Sequence, residues 1–273
     1  MRGSNATIDA NIVAPRPSPA DQAPAAHASL LHDGVHPVVG VHGDDDRRRG
    51  PRGIDLVSAR EHLWRRDDGL LLLLTPPFDR EGPDPGYIRA YPPGVRENGG
   101  QYTHGAVWGA WAMADQGDGD AAVELLRSLS GLTRAATAAD AERYRVEPYV
   151  VAADVYGAKP FVGRGGWTWY TGAAAWLYRY GIERVLGVRV RGDRLEIDPC
   201  IAADWPGFTV ELRHGTATYE VVVENPDGVC GGVVGLRVDG EAVVLGAGAT
   251  AEVSLRDDGR RHRVEVLLDA GAA

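Results

Sequence analysis

Apolar and polar residues alternate by two along the last part of the chain and recur at helical spacing through its middle. The leading segment does neither. From about residue 187 the stretches "GVRVRGDRLEIDP", "FTVELRHGTATYEVVVENPDG", "VVGLRVDGEAVVLGAGATAEVSL" and "HRVEVLL" carry the two-residue alternation of half-buried strands. Arg-Gly-Asp, Asn-Pro-Asp-Gly, Asp-Gly and Asp-Asp-Gly punctuate them as turns. Short strands so spaced predict an antiparallel β-sandwich over 187–273.

Helical periodicity governs residues 59–186. "LWRRDDGLLLLLTPPFDR" reads as a short amphipathic start followed by a loop that Pro76 and Pro77 break. "YTHGAVWGAWAMADQG" puts Val107, Trp111 and Ala114 on one helical face, with Gly117 as a stop. In "DGDAAVELLRSL" Asp118 is the expected N-cap, and Val123, Leu126 and Leu129 form the stripe. Thr137 caps another short helix in "TAADAERY". "VEPYVVAADVYG" fits a helix or a strand, with Pro148 best suited to a first helical turn. "WTWYTGAAAWLYRYGIERVLG" predicts a helix ended by Gly187. The fold class expected is α+β multidomain, with helical hairpins preceding the strands.

Residues 1–58 are rich in Ala, Pro, His and Asp and carry "GDDDRRRGPRG", a composition that predicts a disordered or unrelated N-terminal tail. His27, His32, His36 and His42 lie there without metal-ligand spacing, so no metal is expected. The chain has 273 residues and a formal net charge of -9, which argues against nucleic-acid or anionic-membrane partners. Cys200 and Cys230 have neither redox nor metal spacing and read as reduced packing residues. The leucine run, Leu70 to Leu74, is too short to span a bilayer. The first residues contain no continuous apolar stretch of the secretory kind, so a cytoplasmic, soluble protein is expected.

Two polar, glycine-rich stretches each run into a predicted helix: "RENGGQYTH" from Arg96 to His104, and "GRGGWTWYTG" from Gly163 to Gly172. Free amides at a helix start favour an anion, and glycines let a ligand approach the backbone. Thr171 and Gly172 offer a hydroxyl and an amide, and His104 and Arg164 offer donors or charge. A plain turn explains the same glycines, and no phosphate-loop signature is present. Sugar binding is the other reading: tryptophan faces pack on the C–H faces of pyranoses, and Trp167 and Trp169 sit in the second stretch. Trp111 and Trp176 fit core packing. Hydrolysis requires paired carboxylates, for which Glu97, Glu147 and Asp154 are the candidates in this zone. Ser58, Ser128, Ser130 and Ser254 belong to no nucleophile motif.

"DDGLLLLLTPPFD", "DPGYIRAYPPGVRENGGQYTHGAVW", "YRVEPYVVAADVY", "GRGGWTWYTGAAAWLYR" and "LEIDPCIAADWPGF…VENPDGV" resemble the C-terminal part of glycoside hydrolase family 94, formerly glycosyltransferase family 36. Among its members the chain most resembles the phosphorylase-like region of cyclic β-1,2-glucan synthases, from about residue 63 onward. The resemblance implies the C-terminal portion of a six-hairpin α/α barrel followed by the antiparallel β-sandwich. It also implies inverting phosphorolysis of a β-glucoside, or its reverse, with inorganic phosphate as co-substrate and no cofactor. Motif by motif, it assigns His104, Thr171 and Gly172 to phosphate. Glu97 and Tyr102 fall at the sugar subsites, Arg96 and Asn98 shape the loop, and Glu147 and Trp167 are further substrate-side candidates.

One element of the family pattern has no counterpart. The family's general acid is the first aspartate of an Asp-Trp-Asn-Asp-Gly type motif, and the only Asp-Trp here, Asp204-Trp205, continues into Pro-Gly-Phe in the β zone. The chain is therefore expected to be the last part of a longer enzyme, inactive alone, with a β-glucan or glucose 1-phosphate as ligand. The missing barrel portion or self-association would supply a protein partner. A non-catalytic carbohydrate- or phosphate-binding remnant is the alternative, and an independent glycosidase a further one.

Overall fold

The computed structural model describes residues 6–11, 56–79, 84–245 and 250–269. It divides into two compact units: Gly34–Gly181, and Met1–Asp33 with Ile182–Ala273.

In the leading segment, read from composition as a tail, Ala6–Asn11 forms strand β1. The tail histidines lie outside the described residues.

In the first unit a helical turn at Ala59–Leu63 leads to β2 (Trp64–Arg65), which pairs antiparallel with β3 (Leu70–Leu71). The leucine run is a buried ribbon, hydrogen-bonded through Leu72 N–H to Leu63 C=O (2.9 Å) and through Leu73 N–H to Gly100 C=O (3.0 Å). Strand β4 (Gln101–Tyr102) opens directly into α1 (Thr103–Ala114). Helix α1 buries small residues on most of its circumference, among them Ala106, Ala110 and Ala114. Gly105 and Gly109 bring it onto the ribbon, since a Cβ there would stand 3.0 Å from a Leu73 methyl and 3.1 Å from a Leu71 methyl. Helix α2 (Gly119–Leu129) begins where Asp118 accepts the Ala121 N–H, and buries Val123 and Leu129. Helices α3 (Gly131–Arg134) and α4 (Ala138–Tyr144) follow, the latter capped by Thr137 as the sequence predicts.

The stretch left open between helix and strand, residues 146–157, turns at 147–150 and then contributes the short strand β5 (Asp154–Val155), antiparallel to β4. The helix predicted from Trp167 begins only at Ala173, giving α5 (Ala173–Arg179). Both stretches spend their backbone groups sideways on neighbouring segments, and Trp169 has a left-handed φ of +58° that no α-helix accommodates. Past α5, a wider turn at Tyr180–Val185 stops before Gly187, whose φ is +68°. The Tyr180 hydroxyl donates to Ala122 C=O (2.9 Å), tying this end to α2.

The second unit contains two sheets. Strands β6 (Val188–Arg191) and β7 (Arg194–Ile197) form a hairpin whose sheet has the order β12-β7-β6, with β12 at Ala251–Ser254. The other sheet has the order β1-β8-β9-β13-β10-β11, with β8 at Gly207–His214, β9 at Ala217–Glu224, β10 at Val233–Val238, β11 at Glu241–Ala242 and β13 at Arg261–Leu268. Alternate residues of β8, β9 and β13 are buried, as the period of two requires. The expectation of purely antiparallel pairing fails at one place: β13 runs parallel to β9. The long excursion through β10–β12 returns the chain to β9 in the same direction, which a tight hairpin cannot do. Cys200 and Cys230 are free thiols, and no helix of the described residues is long and apolar enough to cross a membrane.

One titratable staple closes this unit. His262, buried on β13, faces Asp239 through Nδ1 (2.8 Å) and Asp258 through Nε2 (3.1 Å), and stacks on Tyr219 (4.7 Å between centroids). The hydrogen bond to Asp239 leads the causes that raise its pKa above the ordinary 6.5, against an opposing cost of burial. The native state then holds a proton that the unfolded chain releases. The stabilisation is full below the unfolded value and fades as pH rises through the raised folded one. The urea midpoint of the wild-type chain should accordingly fall as pH rises from the ordinary imidazole value through the raised one. The fall should shrink in His262→Gln, as equilibrium denaturation at each pH will show.

Candidate functional site

The two polar stretches meet because a middle segment pairs with both. Thr103 N–H donates to Ala153 C=O (2.9 Å), continuing the β4–β5 ladder. On the other side Ala153 N–H donates to Trp167 C=O (2.6 Å), Gly166 N–H to Asp154 C=O (2.8 Å) and Tyr156 N–H to Arg164 C=O (2.8 Å). Residues 101–103 and 164–167 therefore flank 153–156.

A single side chain then ties the flanking loops together. Asp154 is only 1% exposed; its Oδ2 accepts the Arg96 N–H (3.2 Å) and its Oδ1 the Trp167 N–H (3.3 Å). The approach leaves no room for a side chain at residue 166, where a Cβ would stand 2.2 Å from Oδ1. Burial raises the carboxyl's pKa, outweighing the two amides and the Arg96 charge that lower it. The same loop is braced from beneath by Asn98, fully buried, which accepts the Phe78 N–H (2.7 Å) and donates to Phe78 C=O (2.9 Å) and Tyr91 C=O (2.8 Å).

Three polar groups are presented by this frame. Arg96, at a left-handed φ of +49°, lays its guanidinium 3.4 Å from the centre of the Trp167 ring and 5.3 Å from that of Tyr91. Glu97 keeps its Oε2 without a hydrogen-bond donor among the described residues. Tyr102 has its phenol pKa raised, first by burial and then by the Glu97 carboxylate and Tyr87. It therefore stays a proton donor beside an acceptor.

Further along, His104 in the first turn of α1 is walled by Trp108 (4.6 Å between ring centroids) and Trp176 (5.9 Å), which contact each other at 5.7 Å. Gly172 lies beside it, since a Cβ there would stand 3.9 Å from His104 Cε1. Burial pushes the imidazole pKa down, so the ring is neutral near pH 7, and its Nε2 has no partner among the described residues. The Thr171 hydroxyl accepts the Ala173 N–H (3.2 Å) at the start of α5.

Of the candidates read from the sequence, Arg96, Glu97, Asn98, Tyr102 and Trp167 gather around Asp154, and His104 and Gly172 meet at the tryptophans. Arg164 is half-buried near Phe161 (5.5 Å). Glu147 is exposed on the turn after α4, where its charge is felt at Tyr144; no contact among the described residues joins it to the cluster. Sequence reading missed the wall around His104. Trp108 follows His104 by four residues and so shares its helical face, a signal that was available. Trp176 left no such signal. No group of three or more His, Cys, Asp or Glu is placed to hold a metal among the described residues.

Loss of the clamp should loosen both loops at once. Asp154→Ala should cost about 2–4 kcal/mol by leaving two amides unpaired in a dry site. Asp154→Asn, which keeps one acceptor, should cost about half as much, as urea titration of each variant will measure.

Comparison with known proteins places this site in context. The catalytic-domain model of the glycosyl hydrolase 94 superfamily matches residues 37–187, reaching further toward the N-terminus than the motifs read from the sequence. A cyclic beta-(1,2)-glucan synthase, NdvB of Rhizobium meliloti (strain 1021), is 50% identical over 181 residues, 66% of this chain and 6% of that protein. An N,N'-diacetylchitobiose phosphorylase of Vibrio furnissii is 34% identical over 228 residues, 83% of this chain and 27% of that one. A 3-O-beta-D-glucopyranosyl-beta-D-glucuronide phosphorylase of Paenibacillus borealis is 33% identical over 199 residues, 72% of this chain and 25% of that one. The chain thus spans between 6% and 27% of these relatives' lengths. The family match covers more than half of the chain and includes the whole cluster from Arg96 to Trp176, and on that ground the chain belongs to the glycosyl hydrolase 94 superfamily.

Proposed function

We propose that this chain carries the phosphate- and glucan-binding part of an inverting β-glucoside phosphorylase or glycosyltransferase. The observation that carries the reading is the grouping of His104 and Gly172 against the Trp108 and Trp176 rings, on the same frame as Glu97 and Tyr102. Its helical unit then corresponds to the last hairpins of an α/α barrel, and its β unit to the following sandwich.

In this reaction a phosphate oxygen attacks the anomeric carbon as the glycosidic C–O bond breaks, and a carboxylic acid protonates the departing oxygen. His104, neutral because it is buried, donates its free Nε2–H to a phosphate oxygen; the Thr171 hydroxyl and the Gly172 amide complete the anion's shell. Glu97 accepts from a sugar hydroxyl while Tyr102, kept protonated, donates to another. Arg96 and Asn98 hold the loop in shape. Trp167 and Glu147 stand at the sugar side, Glu147 farther out on its turn.

Protonation of the leaving group is left to an acid these residues do not supply. Asp204 is exposed beside the buried Trp205 in the β unit, outside the helical site. Asp154 is committed to two backbone amides. For the same reason a hydrolase using Asp154 with Glu97 is disfavoured. A reaction without its general acid forfeits about 10²–10⁴ in rate.

The chain alone should release no phosphate from glucose 1-phosphate in the presence of a β-glucan acceptor. Calorimetry should nonetheless detect binding of inorganic phosphate and glucose 1-phosphate, weakened about tenfold in His104→Ala. Absence of any such binding in the wild-type chain would overturn the reading. Phosphate-independent cleavage lost in Glu97→Gln would replace it with a glycosidase.

A further inference from the structure

Between two fixed points the second loop spends an unusual residue. Trp167 is held at its N–H by Asp154 and at its C=O by Ala153, and Gly172 is held by the first turn of α5, where its C=O accepts the Trp176 N–H (3.1 Å). The span between them includes Trp169, at a φ of +58° and 78% exposed. A left-handed backbone is costly for any bulky side chain, and glycine or asparagine would adopt it with less strain. The indole recovers nothing inside the protein: among the described residues it stacks on no other ring. A strained residue that projects a large apolar surface into water is an arrangement for an external ligand.

The neighbours define which ligand. One face of Trp167 is already covered by the Arg96 guanidinium at 3.4 Å, so that ring offers at most its other face. Tyr170, 68% exposed, meets the Trp167 ring edge-on at 4.9 Å and lies close enough to Tyr102 to oppose its ionisation. Tyr87, 69% exposed, acts on Tyr102 in the same way. Tyr87, Tyr170 and Trp167 thus form an aromatic border beside the Glu97–Tyr102 pair, and the exposed Trp169 immediately precedes Tyr170 on the same loop. Flat aromatic faces edged by phenol hydroxyls match a pyranose, which offers an apolar C–H face and an equatorial ring of hydroxyls.

We infer that Trp169, with Tyr170 beside it, is a stacking platform for an outer glucosyl ring of a β-glucan chain, setting preference for chain length. The inference rests on the proposed sugar-binding role of Glu97 and Tyr102. The platform grips the polymer, and the inner cluster grips the reacting unit. An extended glucan gains from Trp169, and glucose 1-phosphate does not.

Calorimetry on the full chain tests this, with glucose 1-phosphate and a ladder of β-1,2-linked glucooligosaccharides from disaccharide to hexasaccharide as probes. Wild-type affinity should rise with chain length. Trp169→Gly should flatten that rise, losing about tenfold on the hexasaccharide while glucose 1-phosphate binding stays unchanged. Trp169→Phe should keep most of it. Because glycine suits the left-handed backbone, Trp169→Gly should unfold at a urea concentration no lower than wild type. A clear fall in that midpoint would make Trp169 a structural residue and overturn the inference. So would an unchanged length dependence in Trp169→Gly, or a wild-type chain that binds glucose 1-phosphate with no preference for longer glucans. If instead the wild-type chain binds glucan with the expected dependence but neither phosphate nor glucose 1-phosphate, the platform stands and the phosphorylase reading falls.

Discussion

The two polar loops of the helical unit are held together by one buried carboxylate. Asp154 satisfies the amides of Arg96 and Trp167, residues far apart in sequence and each within a stretch rich in glycine. Such loops have high conformational entropy, and holding two of them in one arrangement requires a partner that neither loop contains. A carboxylate serves because it offers two oxygens to two converging N–H groups. Its burial raises the pKa, so the clamp is made against a desolvation cost that the two amides and the nearby arginine only partly offset. Geometry at this point leaves little freedom: the close contact with residue 166 admits glycine alone without a shift of the carboxylate.

The clamp works only because the first loop is itself tied to the core. Leu73 takes the Gly100 carbonyl, Gln101 accepts the Leu71 N–H (3.1 Å), and Asn98 fills the loop from inside with three hydrogen bonds to backbone groups. Helix α1 continues from that loop and is pressed onto the leucine ribbon through Gly105 and Gly109. His104 therefore inherits its position from apolar packing on one side and from the loop on the other. Arg134 adds a buried cation beneath, its pKa lowered by burial to about 10, and one amino group of its guanidinium reaches Gln101 Oε1 (3.4 Å).

What the sequence disclosed follows the range of the forces involved. Caps at Asp118 and Thr137 are local, each bonding an amide three residues on, and both were legible. The strand alternation from residue 187 was legible for the same reason. Residues 146–157 stayed open between helix and strand, because the backbone partners that pair 153–156, Thr103, Arg164 and Trp167, are remote along the chain. The parallel pairing of β9 with β13 was hidden likewise, since nothing in either strand names its neighbour. At the site, residue chemistry marked His104, Glu97, Tyr102 and Thr171, and motif resemblance gave them roles. Asp154 was visible only as one more carboxylate among solvated ones. Its true surroundings, two amides and a glycine, come from three separate segments.

On the proposed reading, the charges at this face bear on how an anion would be held. The one cation on the loop, Arg96, is turned onto Trp167 and Tyr91, and His104 is held neutral by burial. Two carboxylates, Glu97 and Asp154, stand nearby, and the Glu97 charge acts on both Asp154 and Tyr102. A phosphate here would meet directed hydrogen-bond donors and little positive charge. Neutral donors bind an anion less tightly than ion pairs do, but they discriminate by direction. For a co-substrate that must enter, react and leave as part of a sugar phosphate, moderate and directional holding suits turnover better than a deep electrostatic well. The arrangement also separates tasks: apolar walls fix the imidazole, and the carboxylate clamp fixes the loops. Among the described residues, Glu97 Oε2 and His104 Nε2 are buried polar atoms of the cluster that the protein leaves without a partner, as are Gln101 Nε2 and Thr103 Oγ1 between them.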